Sequence, residues 1–216
     1  MATIGSENIS VVLPEGVNED AVKVTTGEDG NNLVVISENV AGLQISATGD
    51  NTAVTGKRVE ESTVSATPAK GESSNVVVET TVFKNNTIAN DGKGALEVNI
   101  NTGKFKKSTI DAGNKKRDDL VRFKDDAKVI KSTIDLGKGN DTVRFGKGAS
   151  FKGKTSLDLG KGGKDAIVIE ADAVKGGKLV VTSFSRKDTI TVGEETFTYK
   201  DIKNGAEIPG VKVTLA

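Results

Sequence analysis

The chain has no cysteine, no histidine and no tryptophan in 216 residues, and only 3 prolines. Without cysteine there is no disulfide and no thiol chemistry, and this absence by itself selects no compartment. Without histidine, Ser-His-Asp and Cys-His catalysis and the HExxH zinc arrangement are excluded, together with the commonest general base. Tyr199 is the single tyrosine and there are seven phenylalanines, so the core must come from Val, Ile, Leu, Ala and a few Phe. Charge of one sign is also missing: Lys+Arg and Asp+Glu are both 30. No overall cationic field would draw the chain to nucleic acid. No apolar run approaches the roughly 18 residues of a membrane helix, so no membrane insertion is expected. The opening MATIGSENISVVLPEG lacks a basic segment followed by an apolar run, so no cleaved secretory signal is expected.

What the chain does have is a period of two. Short alternating or β-branched runs occur at Ala21-Val22-Lys23-Val24, Leu33-Val34-Val35-Ile36, Leu43-Gln44-Ile45, Val76-Val77-Val78, Leu96-Glu97-Val98-Asn99-Ile100 and Val211-Lys212-Val213. Turns rich in Gly, Asn and Asp separate them, as in residues 27–32. No amphipathic helix with caps is evident, so the fold class is all-β with many short strands.

A longer period lies over the short one. FKKSTIDAGNKKRDDLVRF (105–123), VIKSTIDLGKGNDTVRF (129–145) and FKGKTSLDLGKGGKDAIVI (151–169) superimpose. Their first aspartates, Asp111, Asp135 and Asp158, are 24 and 23 residues apart; their second, Asp119, Asp141 and Asp165, are 22 and 24 apart. Asp188-Thr189-Ile190-Thr191-Val192 repeats the second half, and FKNNTIANDGKGALEVNI (83–100) is a degraded earlier copy. Four or five units of about 23 residues result.

Each unit carries apolar residues on one side: Ile110, Val121 and Phe123; Ile134, Val143 and Phe145; Leu157, Ile167 and Ile169. One unit cannot enclose them, whereas stacked units can. The expected fold is therefore a parallel β-solenoid with coils of about 23 residues. Expected organisation is an N-terminal β region over 1–65, a linker or loop over 66–75, and the solenoid with its C-terminal cap over 76–216. Because stack ends expose unpaired strand edges, residues 1–65 or 193–216 are expected to cap the stack or bind a partner.

Residues 137–145, GKGNDTVRF, resemble the haemolysin-type (RTX) nonapeptide G-G-x-G-x-D-x-U-x through Gly137, Gly139, Asp141 and Val143. GKGGKDAIVI has one extra residue before Asp165, GNKKRDDLVRF has lost its second glycine, and residues 183–202 are similar to the segment that often follows such repeats. The resemblance implies a β-roll that holds Ca²⁺ through the motif aspartates and carbonyls of adjacent turns. Carried to this chain, Asp119, Asp141 and Asp165 would form one carboxylate column and Asp135 and Asp158 a second. Two features stand against it: the family stacks about 18 residues per coil, and Lys115, Lys116, Lys138, Lys161 and Lys164 crowd the same turns. Stacked carboxylates repel, and either a cation or those lysines would relieve the repulsion.

No catalytic toolkit is legible. The adjacent pairs Asp118-Asp119 and Asp125-Asp126 would face opposite sides of a strand. Basic runs at 104–107 and 115–117 lack the interleaved aromatics that stack bases, and GKGNDT has no GK[ST] followed by a helix. The expected function is that of a non-enzymatic structural or surface-interaction protein, on a virion surface or outside a cell. Its expected partners are proteins, by self-association or docking on a larger assembly. The alternative is a calcium-binding RTX-like protein exported by type I secretion, and a less favoured one is a polysaccharide-acting β-helix enzyme.

Overall fold

A computed structural model describes residues 1–27, 31–48, 51–170 and 175–216, with the backbone alone for 175 and 176. Parts of two sequence turns, residues 28–30 and 49–50, lie outside the described residues, as do 171–174. The chain is a parallel β-solenoid of about 7 turns with coils of about 23 residues, about 60% strand and 4% helix.

Each full coil has three faces. Strand Leu120–Phe123 lies on the first, Lys128–Ile130 on the second and Thr133–Asp135 on the third. The strands pair in parallel with their counterparts in the next coil, Thr142–Phe145 and both halves of Ser150–Asp158. The register repeats along the stack. On the first face Val54, Val78, Ile100, Phe123, Phe145 and Ile169 form one inward row. On the third, Val64, Ile88, Ile110, Ile134 and Leu157 form another. All nine residues expected to point inward are buried. Period-two alternation makes this possible, because every second side chain of a strand faces the same way.

Phenylalanines connect the faces. Phe83 stacks on Phe105 with centroids 5.7 Å apart, and Phe105 meets Phe123 edge-on at 5.4 Å. Phe123 stacks on Phe145 at 5.1 Å, and Phe145 meets Phe151 edge-on at 4.9 Å. Five of the seven phenylalanines thus make one continuous seam through the core.

The stack begins earlier than the sequence repeats indicate. Asn32–Ala41 pairs in parallel with Asn51–Glu60, and Gln44–Ala47 with Thr63–Ala66. The first of these steps is 20 residues (Val34 to Val54) and the next 24 (Val54 to Val78). Their period is therefore invisible by alignment. Within residues 66–75, expected as a linker or loop, 67–72 are a loop that turns the corner from the third face to the first, where the Thr67 N–H donates to Ala47 O and the Ala95 N–H to Glu72 O.

Both ends carry antiparallel strands. Val22–Thr26 pairs with the first coil on the first face, and the hairpin of Ala2–Ser6 and Ile9–Leu13 covers it on the third. At the other end, Thr189–Val192 forms a hairpin with Glu195–Thr198, followed by helix Tyr199–Lys203 and by Val211–Leu215, which pairs in parallel with the end of the third face.

Candidate functional site

The sequence-predicted aspartates converge on one edge of the solenoid, the corner between the third and first faces, and there they form two different columns.

Asp119, Asp141, Asp165 and Asp188 make an inner column, all buried. Each Oδ1 accepts a backbone N–H from the preceding coil: Leu96 N–H donates to Asp119 at 2.6 Å, Asp119 N–H to Asp141 at 2.8 Å, Asp141 N–H to Asp165 at 2.9 Å and Asp165 N–H to Asp188 at 2.9 Å. The Oδ2 atoms of Asp119 and Asp141 are buried without a partner. Burial disfavours the ionised form. It pushes Asp119 up to about 6, against the Leu96 N–H and Arg117, which pull it down. Asp141 rises to about 8 through burial, with Asp119 and Asp165 adding repulsion, and Asp165 to about 7. At neutral pH Asp141 is thus mostly a neutral carboxylic acid, Asp165 is about half protonated and Asp119 is mostly ionised.

This is a third answer to the repulsion between stacked carboxylates, beside the cation and the lysines expected from sequence. Among the described residues no lysine of these turns pairs with an inner aspartate. The ion pairs there lie elsewhere, as Arg58–Glu60, Lys84–Glu60, Arg122–Glu97 and Arg144–Glu170. Lys115, Lys116, Lys138, Lys161 and Lys164 are exposed.

Asp111, Asp135 and Asp158 make the outer column, in register across three coils. Each begins the corner by accepting the N–H of the glycine two residues on, Gly113 at 2.8 Å and Gly137 and Gly160 at 3.0 Å. These are aspartate turns. Burial raises Asp135, with Asp158 and Asp111 adding to it against the Gly137 N–H. Burial also acts on Asp158, but Ser183, the Gly160 N–H and Thr182 outweigh it and hold this carboxyl below its usual range. A cavity of about 310 Å³ is lined by Asp135 and Asp158 and also by Lys138, Lys161 and Ser183.

Backbone contact between coils explains the glycines. A Cβ on Gly139, where φ is +159°, would stand 1.3 Å from Arg117 O, and one on Gly163 would stand 1.5 Å from Gly139 O. Gly163, not Gly162, therefore succeeds Gly139. The extra residue of that copy is absorbed at Gly162, whose Cβ position is open. Where the earlier copy lost its glycine stands Arg117, nearly buried. Its guanidinium donates to Gly92 O, Gly94 O and Ala112 O at 2.7–3.0 Å, and its Nε is buried without a partner.

Calcium takes six to eight oxygen ligands. In the inner column each aspartate has one oxygen engaged by an N–H, and burial favours the protonated form, so the column does not fit that ion. Among the described residues no group of three or more acidic side chains converges on a point. The outer column is better hydrated but faces Lys138 and Lys161. Asp118 and Asp119 do part, one exposed and one buried, whereas Asp125 and Asp126 lie at a corner and are both exposed.

Sequence reading missed a second ladder, at the corner between the second and third faces. There Ser62, Asn86, Ser108 and Ser132 each bond, through the side-chain oxygen, to the N–H of the corresponding residue one coil before. The residue preceding each is left-handed, as at Glu61, Asn85, Lys107 and Lys131, with φ between 48° and 55°. The repeated K-S-T-I of the sequence was its signal.

No protein-family model, curated protein or solved structure matches the chain.

Proposed function

We propose that the chain is a non-enzymatic structural and surface-interaction element, of the kind carried on a virion as a decoration or fibre or on the outside of a cell, where it associates with other proteins. The observation that carries this reading is the hydrogen-bonded inner aspartate column. The acids that would serve as paired catalysts or ion ligands are engaged in joining one coil to the next. Acid-base catalysis needs two groups with separated pKa values around a substrate space. Here the most strongly raised acids, Asp119, Asp141 and Asp165, share one buried row. The outer Asp135 and Asp158, displaced in opposite directions, line a cavity with two lysines, and each is engaged by the N–H of a corner glycine. A stack of nearly identical coils supplies a stiff rod with long flat faces, suited to spacing or presenting surfaces.

An antibody to the chain, applied to the source cells and the particles they shed, tests the reading. Label on particles or the outer cell surface is expected, and label confined to the soluble cell interior would overturn it. The alternative, a calcium-binding protein of the RTX-like kind exported by type I secretion, draws on the solvated outer pair Asp135 and Asp158. It requires calcium to raise the melting temperature and EDTA to lower it. Release of new chain ends from a polysaccharide would instead favour an enzyme.

A further inference from the structure

The zero net charge conceals a one-signed surface. Along the second face and the corner that follows it, the stretches 82–86, 104–108, 128–132, 150–155 and 175–178 contain lysine but no Asp, Glu or Arg. The register arranges these lysines in rows. Lys84 pairs with Lys106, Lys104 with Lys128, and Lys154 with Lys178. Phe83, Phe105, Val129 and Phe151 point into the core, so their lysine neighbours in the strands point out. Lys104, Lys128 and Lys152 are exposed. Register neighbours such as Lys104 and Lys128 stand about 4.8 Å apart along the solenoid axis, and strand neighbours such as Lys104 and Lys106 about 6.6 Å apart across it, while Val82 and Ser150 interrupt one row and Ile130 the other.

The charge is uncompensated over most of its length. Glu60 binds Lys84 at 2.8 Å and Arg58 at 2.7 Å and so closes the field at its N-terminal end. Asp125 and Asp126, at the preceding corner, bound one long side. Beyond Lys84 no lysine of this face has an ion-pair partner among the described residues. Lys107 and Lys131 add a further row from left-handed backbone positions, φ 48° in each, where the next coil uses Gly153. A lysine in that conformation is held at a backbone cost that glycine would avoid.

We propose that this lysine face binds a linear anionic polysaccharide laid along the solenoid axis. The face is flat and long in one direction, so an extended polymer meets several coils at once, while a convex duplex would touch only a strip. It carries no aromatic side chain to stack bases and no arginine to grip phosphate in two-point fashion. The only large hydrophobic residues that stand exposed among those described are Met1, at the N-terminus, and Leu33, on the first face, so nothing on the lysine face would insert into a lipid surface. Ammonium groups contributed by several successive coils suit carboxylates or sulfates that recur along a chain. The inference deepens the surface-interaction reading and rests on it.

Fluorescently labelled polygalacturonate and heparin, titrated with the full chain at about 50 mM salt, provide the test. Binding that weakens steeply with added salt is expected. Lys104→Glu/Lys106→Glu/Lys128→Glu is expected to weaken it about tenfold or more, and the milder Lys→Gln triple less. Lys138→Glu/Lys161→Glu/Lys187→Glu, the same charge change at the aspartate corner, is expected to stay within about threefold of the parent. Unchanged thermal melts certify that the variants fold. Which polymer binds more tightly tells carboxylate from sulfate. Absence of binding at low salt, equal loss in both triples, or tighter binding to duplex DNA or to phosphatidylcholine vesicles with about 30% phosphatidylserine would overturn the proposal. Cleavage of the bound polymer would overturn the non-enzymatic reading alone, and failure to bind would overturn this inference alone.

Discussion

Asp141 Oδ1 accepts the backbone N–H of Asp119, one coil earlier, at 2.8 Å, while its Oδ2 is buried without a partner. One oxygen thus joins two coils, and the other makes ionisation costly. The pH dependence of the whole fold follows from that arrangement.

In the unfolded chain these carboxyls titrate near 3.8, and in the folded chain near 6, 8 and 7 for Asp119, Asp141 and Asp165. Between those values the folded state holds more protons, so stability falls as pH rises. Urea unfolding across the range is expected to show the contribution of these groups fully present below about pH 4, declining from there towards pH 8 and levelling above it. A rise over the same interval would contradict the neutral ladder.

Asn has the shape of a protonated aspartate and keeps the accepting oxygen. Asp141→Asn is therefore expected to stabilise the chain at pH 8 by on the order of 1–3 kcal/mol, to stabilise it less at pH 5, and to flatten the decline. Asp141→Ala leaves the Asp119 N–H without an acceptor and is expected to cost about 1–3 kcal/mol at pH 5. Chemical denaturation of both variants at the two pH values is the check.

The glycines of GKGNDT and its neighbour separate by what lies opposite them. Gly139→Ala would place its Cβ 1.3 Å from Arg117 O, so the two coils must part, and a large loss of melting temperature is expected. Gly162→Ala meets nothing within 4 Å and carries only the strain of φ +76°, about 1 kcal/mol. Equal losses would mean that coil contact is not what these glycines serve.

In the phenylalanine seam, Phe105 touches Phe83 in its own row and Phe123 on the first face. Phe105→Ala is expected to cost about 3–5 kcal/mol and Phe105→Leu clearly less, by the same denaturation measurement. A small effect from the alanine would place the seam outside the cooperative core.

The middle of the solenoid was legible because its coils repeat the same residue types: Ile110 over Ile134 over Leu157, and Val121 over Val143 over Ile167. The earliest coils were not, since Val34 and Val54 sit on generic β-branched runs whose step changes from 20 to 24. At the site, the spacing revealed that the aspartates stack but not their ionisation. That depends on burial and on N–H donors from another coil, which no local pattern encodes. The lysine face escaped notice for a related reason: Lys104, Lys128 and Lys154 are far apart in sequence and interleaved with acidic corners, and only the register brings them onto one surface.

The inner aspartates join coils, and Asp141 at the middle of the column does so as a neutral acid. The most direct measurement is a carboxyl carbon NMR titration of Asp141 in the folded chain, with and without calcium. A midpoint near 8, unmoved by calcium, is the predicted result. A midpoint near the ordinary carboxylate value, or one driven down by calcium, would contradict it.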